Sequence, residues 1–116
     1  MLFLKNRLRK KKDFERVLKN KQSRALAVSF LGVRFLANDL PYSRIGFVVS
    51  KKVSKKAVIR NKVKRRLREI SRDIIKDFEK GFDIVVFTNP EIAKSDFAQI
   101  KNVLETLLKK ISYKNN

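Results

Sequence analysis

Residues 44–78 read RIGFVVSKKVSKKAVIRNKVKRRLREISRDIIKDF, and two periodicities meet inside that stretch. Between Ser43 and Ser50 apolar side chains alternate, with Ile45, Phe47 and Val49 on one side, the period of two that a strand requires. From Ile59 the period changes: Ile59, Val63, Leu67, Ile70, Ile74 and Phe78 recur at steps of four and three, which predicts a long amphipathic helix. Only the short basic link from Lys51 to Lys56 separates the two.

Working outward, Gly81 follows the helix as its expected C-cap. Phe82 to Phe87 is then a nearly continuous apolar run closed by Asn89-Pro90, the pattern of a strand covered on both faces. Ser95 is expected to cap a last helix, in which Phe97, Ile100, Leu104, Leu107, Leu108 and Ile111 keep the helical period ahead of a polar tail. Upstream, Ala25 to Phe35 reads as one strand, with Leu26, Val28 and Phe30 on one side and Leu31, Val33 and Phe35 on the other. Asn38, Asp39 and Pro41 supply turn chemistry, so that strand is expected to form a long hairpin with the strand at 43–50. Asp13 is expected to cap a short helix with Phe14, Val17 and Leu18 on its apolar face and Asn20 near its end. The order helix, two or more strands, helix, strand, helix predicts an α+β fold, a small sheet packed by helices, formed by residues 1–116 as one domain. Phe30, Phe47, Phe78, Phe82, Phe87 and Phe97 default to its core.

Composition narrows the function. The chain has 116 residues with 30 Lys and Arg against 11 Asp and Glu, a formal charge of +19 that calls for a polyanionic partner. Cysteine and histidine are absent, which removes disulfides, thiol nucleophiles, thiolate metal sites and the commonest general base. The longest apolar stretch, Ala25 to Val33, contains Ser29 and Gly32 and is too short to span a membrane, and Leu2-Phe3-Leu4 is too short for a secretory h-region, so a cytoplasmic protein is expected.

The charge is concentrated. Lys51, Lys52, Lys55, Lys56, Arg60, Lys62, Lys64, Arg65, Arg66, Arg68 and Arg72 fall in one segment that holds a single acid, Glu69. On a helical wheel Asn61, Lys64, Arg65, Arg68 and Arg72 lie opposite the apolar stripe, with Arg60 at its border. Like charges at i, i+4 repel by roughly 0.2–0.5 kcal/mol per pair, and cations are disfavoured at a helix N-terminus, so stability does not account for this face. Phosphate recognition does, through Arg forks, Lys point charges and the free amides of the helix start. Residues 1–12 form a second basic segment, an arm carrying Lys5, Arg7, Arg9, Lys10, Lys11 and Lys12 that self-repulsion should leave only partly ordered. Glu69, Asp73 and Asp77 align along the helix, but Lys62, Arg66 and Lys76 are close enough to neutralise them; neither a catalytic residue nor a protein-held metal is expected.

Arg44 to Glu69 resembles the signature region of the bacterial ribonuclease P protein family, where a strand of the type R-(I/V)-G-x-x-V-S-K-K runs into a helix of the type R-N-(R/K)-x-K-R-x-x-R-E. That helix pattern falls on Arg60, Asn61, Lys62, Lys64, Arg65, Arg68 and Glu69. Leu8 to Leu18, Phe82 to Pro90 and the last helix are also similar to the family, although Leu18 stands where an aromatic is frequent and Lys21 where glycine is common. The resemblance implies the order αβββαβα, a two-layer α/β sandwich with a left-handed βαβ crossover. It implies a protein subunit that binds the catalytic RNA and the 5′ leader of precursor tRNA, each protein monomeric and paired 1:1 with its RNA. Cleavage is then performed by the RNA with Mg²⁺, bound chiefly by RNA and substrate, and no membrane is involved. The implied RNA-binding residues are Lys51, Lys52, Lys55, Lys56, Arg60, Asn61, Lys62, Lys64, Arg65 and Arg68. Phe14, Leu18 and Val33 would line the leader cleft, and Arg7, Arg9, Lys10, Lys11 and Lys12 would carry the arm's contacts. The alternative is a ribosomal or other structural RNA-binding protein without a processing role.

Overall fold

A computed structural model describes residues 3–78 and 81–114, with side chains as far as residue 111. Its elements are α1 (Lys11–Lys19), β1 (Arg24–Val28), β2 (Leu31–Ala37), β3 (Arg44–Val48), α2 (Ala57–Ile75), β4 (Phe82–Thr88) and α3 (Phe97–Lys114), with 3₁₀ turns at Leu4–Asn6 and Pro90–Lys94. The helix-first order αβββαβα expected from the sequence is the order observed.

The four strands form one mixed sheet in the order β1-β2-β4-β3. The continuous apolar run became β4, which is inserted between β2, antiparallel to it, and β3, parallel to it. Central placement explains the run, because both faces of an interior strand must be covered. β3, α2 and β4 thus make a β-α-β crossover between neighbouring parallel strands. On one face Leu31, Val33 and Phe35 of β2, Ile45 and Phe47 of β3 and Ile84 and Val86 of β4 pack against Val63, Leu67 and Ile70 of α2 and Leu104, Leu107 and Leu108 of α3. On the other face a smaller cluster joins Leu36 and Val85 to Val17 of α1 and to Leu8. α1 covers only part of that face.

Several local expectations change, each for a physical reason. The stretch 25–35 is two strands, turned at Ser29 with φ 54°, so that Leu26 pairs with Val33 and Val28 with Leu31 on the same face. The strand at Arg44–Val48 pairs with β4 instead of forming a hairpin with its predecessor. Gly81 is not a C-cap: α2 ends at Ile75, with Lys76 as the cap. Glycine is required there because a Cβ would overlap the Leu40 carbonyl oxygen and Asn38 Oδ1. Asp96, not Ser95, begins α3, exchanging hydrogen bonds with Gln99 (Gln99 N–H to Asp96 Oδ1, 2.8 Å; Asp96 N–H to Gln99 Oε1, 3.0 Å), a reciprocal capping box. Asp13 lies in the first turn of α1, whose N-cap is Lys10, and its carboxylate faces Arg44 at 3.4 Å. Ile59 and Phe97 are substantially exposed instead of buried.

The basic arm is more ordered than its charge suggested. Arg7 bridges to Ile45 as a parallel extension of the sheet edge, Leu8 N–H donates to the Ile45 carbonyl at 3.0 Å, and buried Asn6 donates to the Ser43 carbonyl at 2.8 Å. Leu8 is buried in the smaller core. Three apolar or amide anchors therefore hold a segment that charge alone would leave loose; residues 1 and 2 of the arm lie outside the described residues.

Candidate nucleic-acid interface

α1 covers only part of the second sheet face and leaves the rest as an open surface beside it. Strand alternation sends Val48 of β3 and Phe87 of β4 to this face, both half-buried against the smaller core. Gly32 and Arg34 of β2 share it, opposite Ala27 and Ala25 of β1. Phe14 and Leu18 of α1, also half-buried, border it. Phe14 and Leu18, two of the residues expected at a leader cleft, thus pack against the same small cluster. Val33 is not with them: it is 2% exposed and sits in the larger core, because its neighbour Arg34 holds the outward parity. Arg34, which the sequence did not single out, takes the open face in its place. Its signal was one cation inside an apolar strand, and its Nε is buried with no acceptor among the described residues.

α1 is fixed over the sheet by a buried charge cluster. Asp83, on β4, is fully buried and accepts from Arg44 Nε at 2.8 Å and Nη2 at 2.7 Å, from Arg16 Nη2 at 2.6 Å and from Asn38 Nδ2 at 2.9 Å. Burial alone would raise the Asp83 carboxyl, but the hydrogen bonds from Arg44, Asn38 and Arg16 and the charge of Arg44 outweigh it and hold it below the usual carboxylate range. The Arg44 guanidinium is correspondingly raised, chiefly by its hydrogen bond to Asp83 and against the effect of burial.

The basic helix runs along the far side of β3. Lys51, Lys52, Lys55 and Lys56 are exposed in the loop before α2, which buried Val53 pins to the core. Asn61, Lys62 and Arg65 are exposed on the helix, while Lys64 and Arg68 are half-buried where α2 approaches the arm. Arg60 folds back to donate to the Ser54 carbonyl at 2.9 Å, so part of its donor set closes the preceding loop. Among the described residues no carboxylate lies within ion-pairing distance of Lys64, Arg65 or Arg68. Asp73, by contrast, is 3.3 Å from Arg72 Nε and 4.0 Å from Lys76. Among the described residues no group of three or more Asp, Glu, His or Cys side chains is placed to hold a metal ion together.

Arg7, Arg9, Lys64 and Arg68 line a cleft of about 310 Å³ between the arm, α1, β3 and α2, with Leu8, Phe14, Ile45, Gly46 and Phe47 as its remaining walls. A Cβ on Gly46 would overlap Phe14 Cζ and lie 3.0 Å from the Leu8 carbonyl oxygen, so glycine permits the arm and α1 to close over β3. Lys10, Lys11 and Lys12 are exposed beyond it, with Lys11 near Glu15 at 3.9 Å.

Fold and surface together define a small basic α+β protein that gathers cations of one sign along a helix, a loop and a sheet edge. A family model described as Ribonuclease P matches residues 3–112. The ribonuclease P protein component of Alkaliphilus oremlandii is 37% identical over 111 residues, covering 96% of this chain and 95% of the relative. That of Caldanaerobacter subterraneus is 38% identical over 104 residues, covering 90% and 87%. Among solved structures, the RNase P protein of Staphylococcus aureus superposes with a TM-score of 0.79 at 33% identity, covering 91% of this chain and 94% of that one. That of Thermotoga maritima gives 0.78 at 39% identity, covering 90% and 96%. The chain belongs to the ribonuclease P protein family, the protein components of an endoribonuclease holoenzyme that acts in tRNA processing as a ribonucleoprotein with ribonuclease P RNA. No helix among the described residues is long and apolar enough to cross a membrane.

Proposed function

We propose that this chain grips two RNA strands at once: the catalytic RNA along α2 and its preceding loop, and the 5′ leader of precursor tRNA in the cleft between α1 and the open sheet face. The observation that carries the reading is the unneutralised cation face of α2 beside an open, partly apolar cleft on the same molecule. Lys51, Lys52, Lys55, Lys56, Asn61, Lys62, Lys64, Arg65 and Arg68 bind phosphates and sugars of the catalytic RNA, and Arg60 joins them with the donors its loop contact leaves free. Phe14, Leu18 and Phe87 give unpaired leader bases an apolar surface, and Arg34 adds a cation beneath them. Two polyanions that repel each other are thereby held against one cationic body, which raises the effective affinity of substrate for ribozyme.

The protein's part is binding and placement. Bond cleavage belongs to the RNA, which with its substrate supplies the sites for Mg²⁺. The protein works in the cytoplasm as a monomer, one per RNA. Reconstitution tests the whole reading: the purified chain, added to a ribonuclease P RNA at low Mg²⁺, should restore accurate 5′ processing of a precursor tRNA. Cleavage of precursor by the protein alone, or no stimulation of the RNA, overturns it.

A further inference from the structure

The groove between α2 and α3 reverses the sign of the surrounding surface. The two helices run side by side in the same direction: Glu69 shares one hollow with Phe97 and Lys101, and Phe78 shares the next with Lys109. These hollows, of about 200 and 290 Å³, adjoin at Asp73, Ile74 and Glu105. Glu69, Asp73 and Asp77 of α2 and Glu105 of α3 supply four carboxylates to their lining, against Lys101 and Lys109. On a chain of formal charge +19 the groove is therefore locally negative. The protein neutralises it only in part. Asp73 meets Arg72 and Lys76, and Glu105 meets Lys101 at 3.9 Å, but no cation among the described residues lies within ion-pairing distance of Glu69 or Asp77.

The floor of the groove is apolar. Ile74 and Phe78 are only partly buried, and Phe97, expected in the core, is 45% exposed. An exposed aromatic at the end of a groove rimmed by charge fits a docking surface, where an apolar anchor supplies affinity and the rim selects the partner. Phosphate is repelled by such a rim, and the RNA-binding reading above uses none of these residues. A second copy of the chain would set +19 against +19, and its basic arm is already held to its own β3 through Arg7 and Leu8. Charge complementarity leaves a cationic segment of a different protein. The spacing gives its form: carboxylates at steps of four along α2 are about 6 Å apart, so cations at the same step on a helix laid alongside keep register with them.

We propose that the α2–α3 groove docks a basic amphipathic helix of another protein, its apolar stripe on Ile74, Phe78 and Phe97 and its lysines or arginines beside the four carboxylates. Glu69, Asp73 and Asp77 lie about a third of a turn round α2 from Lys64, Arg65 and Arg68. One helix thus offers RNA a cationic side and a basic protein an acidic one, and the two partners do not compete.

The test uses the full chain and a dye-labelled, end-blocked peptide of two KLAKKLA heptads followed by KLAK, whose leucines form one stripe at steps of four and three. Fluorescence anisotropy at physiological salt should show saturable binding, and ¹⁵N amide shifts should centre on the residues of the groove. E69Q and D77N should each weaken binding about threefold, as exposed ion pairs do, and F97A about fivefold or more as loss of an anchor. K109Q, which removes a cation from the rim, should tighten it, and D39N, the loss of an exposed acid elsewhere, should leave it unchanged. All five changes fall on exposed side chains. Unsaturable binding, equal affinity for a shuffled peptide of the same composition, or indifference to E69Q, D77N and F97A overturns the site. Sedimentation showing self-association of the chain that D77N abolishes overturns the assignment in favour of a second copy. Shifts of the Asp77 and Phe97 amides with hexauridylate alone overturn it in favour of RNA.

Discussion

Arg44 and Asp83 meet through two parallel hydrogen bonds, Nε to Oδ1 at 2.8 Å and Nη2 to Oδ2 at 2.7 Å, on neighbouring parallel strands. The same carboxylate receives Arg16 from α1, so one buried oxygen pair ties α1 to the sheet at β3 and β4. Replacing Asp83 with Asn leaves two guanidiniums beside a neutral group. We expect D83N to lose about 3–5 kcal/mol of stability by urea unfolding, the range for breaking a buried pair from one side. R16A should lose clearly less, because Arg16 is 40% exposed. Equal losses in the two variants would show that the anchoring of α1, not the burial of the charge, dominates.

The same group gives the fold an acid limit. The Asp83 carboxyl is held below its unfolded value of about 3.9, so its contribution is fully present above that pH and is lost as pH falls through the lower folded value. Urea midpoints measured from pH 5 down to pH 2 should therefore fall in the wild type and fall less steeply in D83N. Parallel curves would assign acid sensitivity to other carboxylates.

Val33 and Arg34 separate stability from binding. V33A should cost about 2 kcal/mol by loss of buried apolar surface and leave leader affinity nearly unchanged. R34A should do the reverse, weakening leader binding about tenfold with a small effect on unfolding. A binding loss in V33A at temperatures where it is fully folded would put the cleft on the other face.

Gly46 and Gly32 face the same side of the sheet but differ in space. G46A must displace Phe14 or the Leu8 backbone and should cost about 1–3 kcal/mol, together with weaker leader binding as the cleft wall moves. G32A meets only the Leu26 carbonyl oxygen, at 3.9 Å, and should change stability little. Thermal or urea unfolding of the two variants, with leader binding by fluorescence anisotropy, decides this.

Electrostatics sets the salt response. If about four single-strand phosphates are neutralised, leader affinity should drop roughly 50-fold between 50 and 200 mM salt, a logarithmic slope near −2.8. R9Q, removing one contact, should reduce the slope by about 0.7. A wild-type affinity independent of salt would remove the phosphate basis of the interface.

Much of this was readable in the residues, and the exceptions share a cause. The period of α2 and the unbroken run of β4 were legible because burial by one partner, or by two, writes itself directly into spacing. The turn at Ser29 was not, because a non-glycine residue holds the positive φ and no Asn-Gly or Gly pair marks it. Val33 was placed at the cleft by the family resemblance alone, whereas alternation along β2 turns it into the larger core and Arg34 to the opposite face. The Asp83 cluster draws on α1, the β2–β3 turn, β3 and β4, and the arm-to-α2 cleft on residues up to 61 positions apart, Arg7 and Arg68. Local pattern carries no information about such meetings. Strand order decided them, and nothing in the spacing of β2, β3 and β4 says which lies in the middle.

Placing β4 between β2 and β3 also orders events at the ribosome. Each of its two neighbours lacks a hydrogen-bonding partner on that side until Phe82–Thr88 has emerged, so nearly three quarters of the nascent chain must wait without a completed sheet. Exposed strand edges ordinarily invite aggregation. Here mutual repulsion among newly made, strongly cationic polypeptides keeps those edges apart until the late strand slots in.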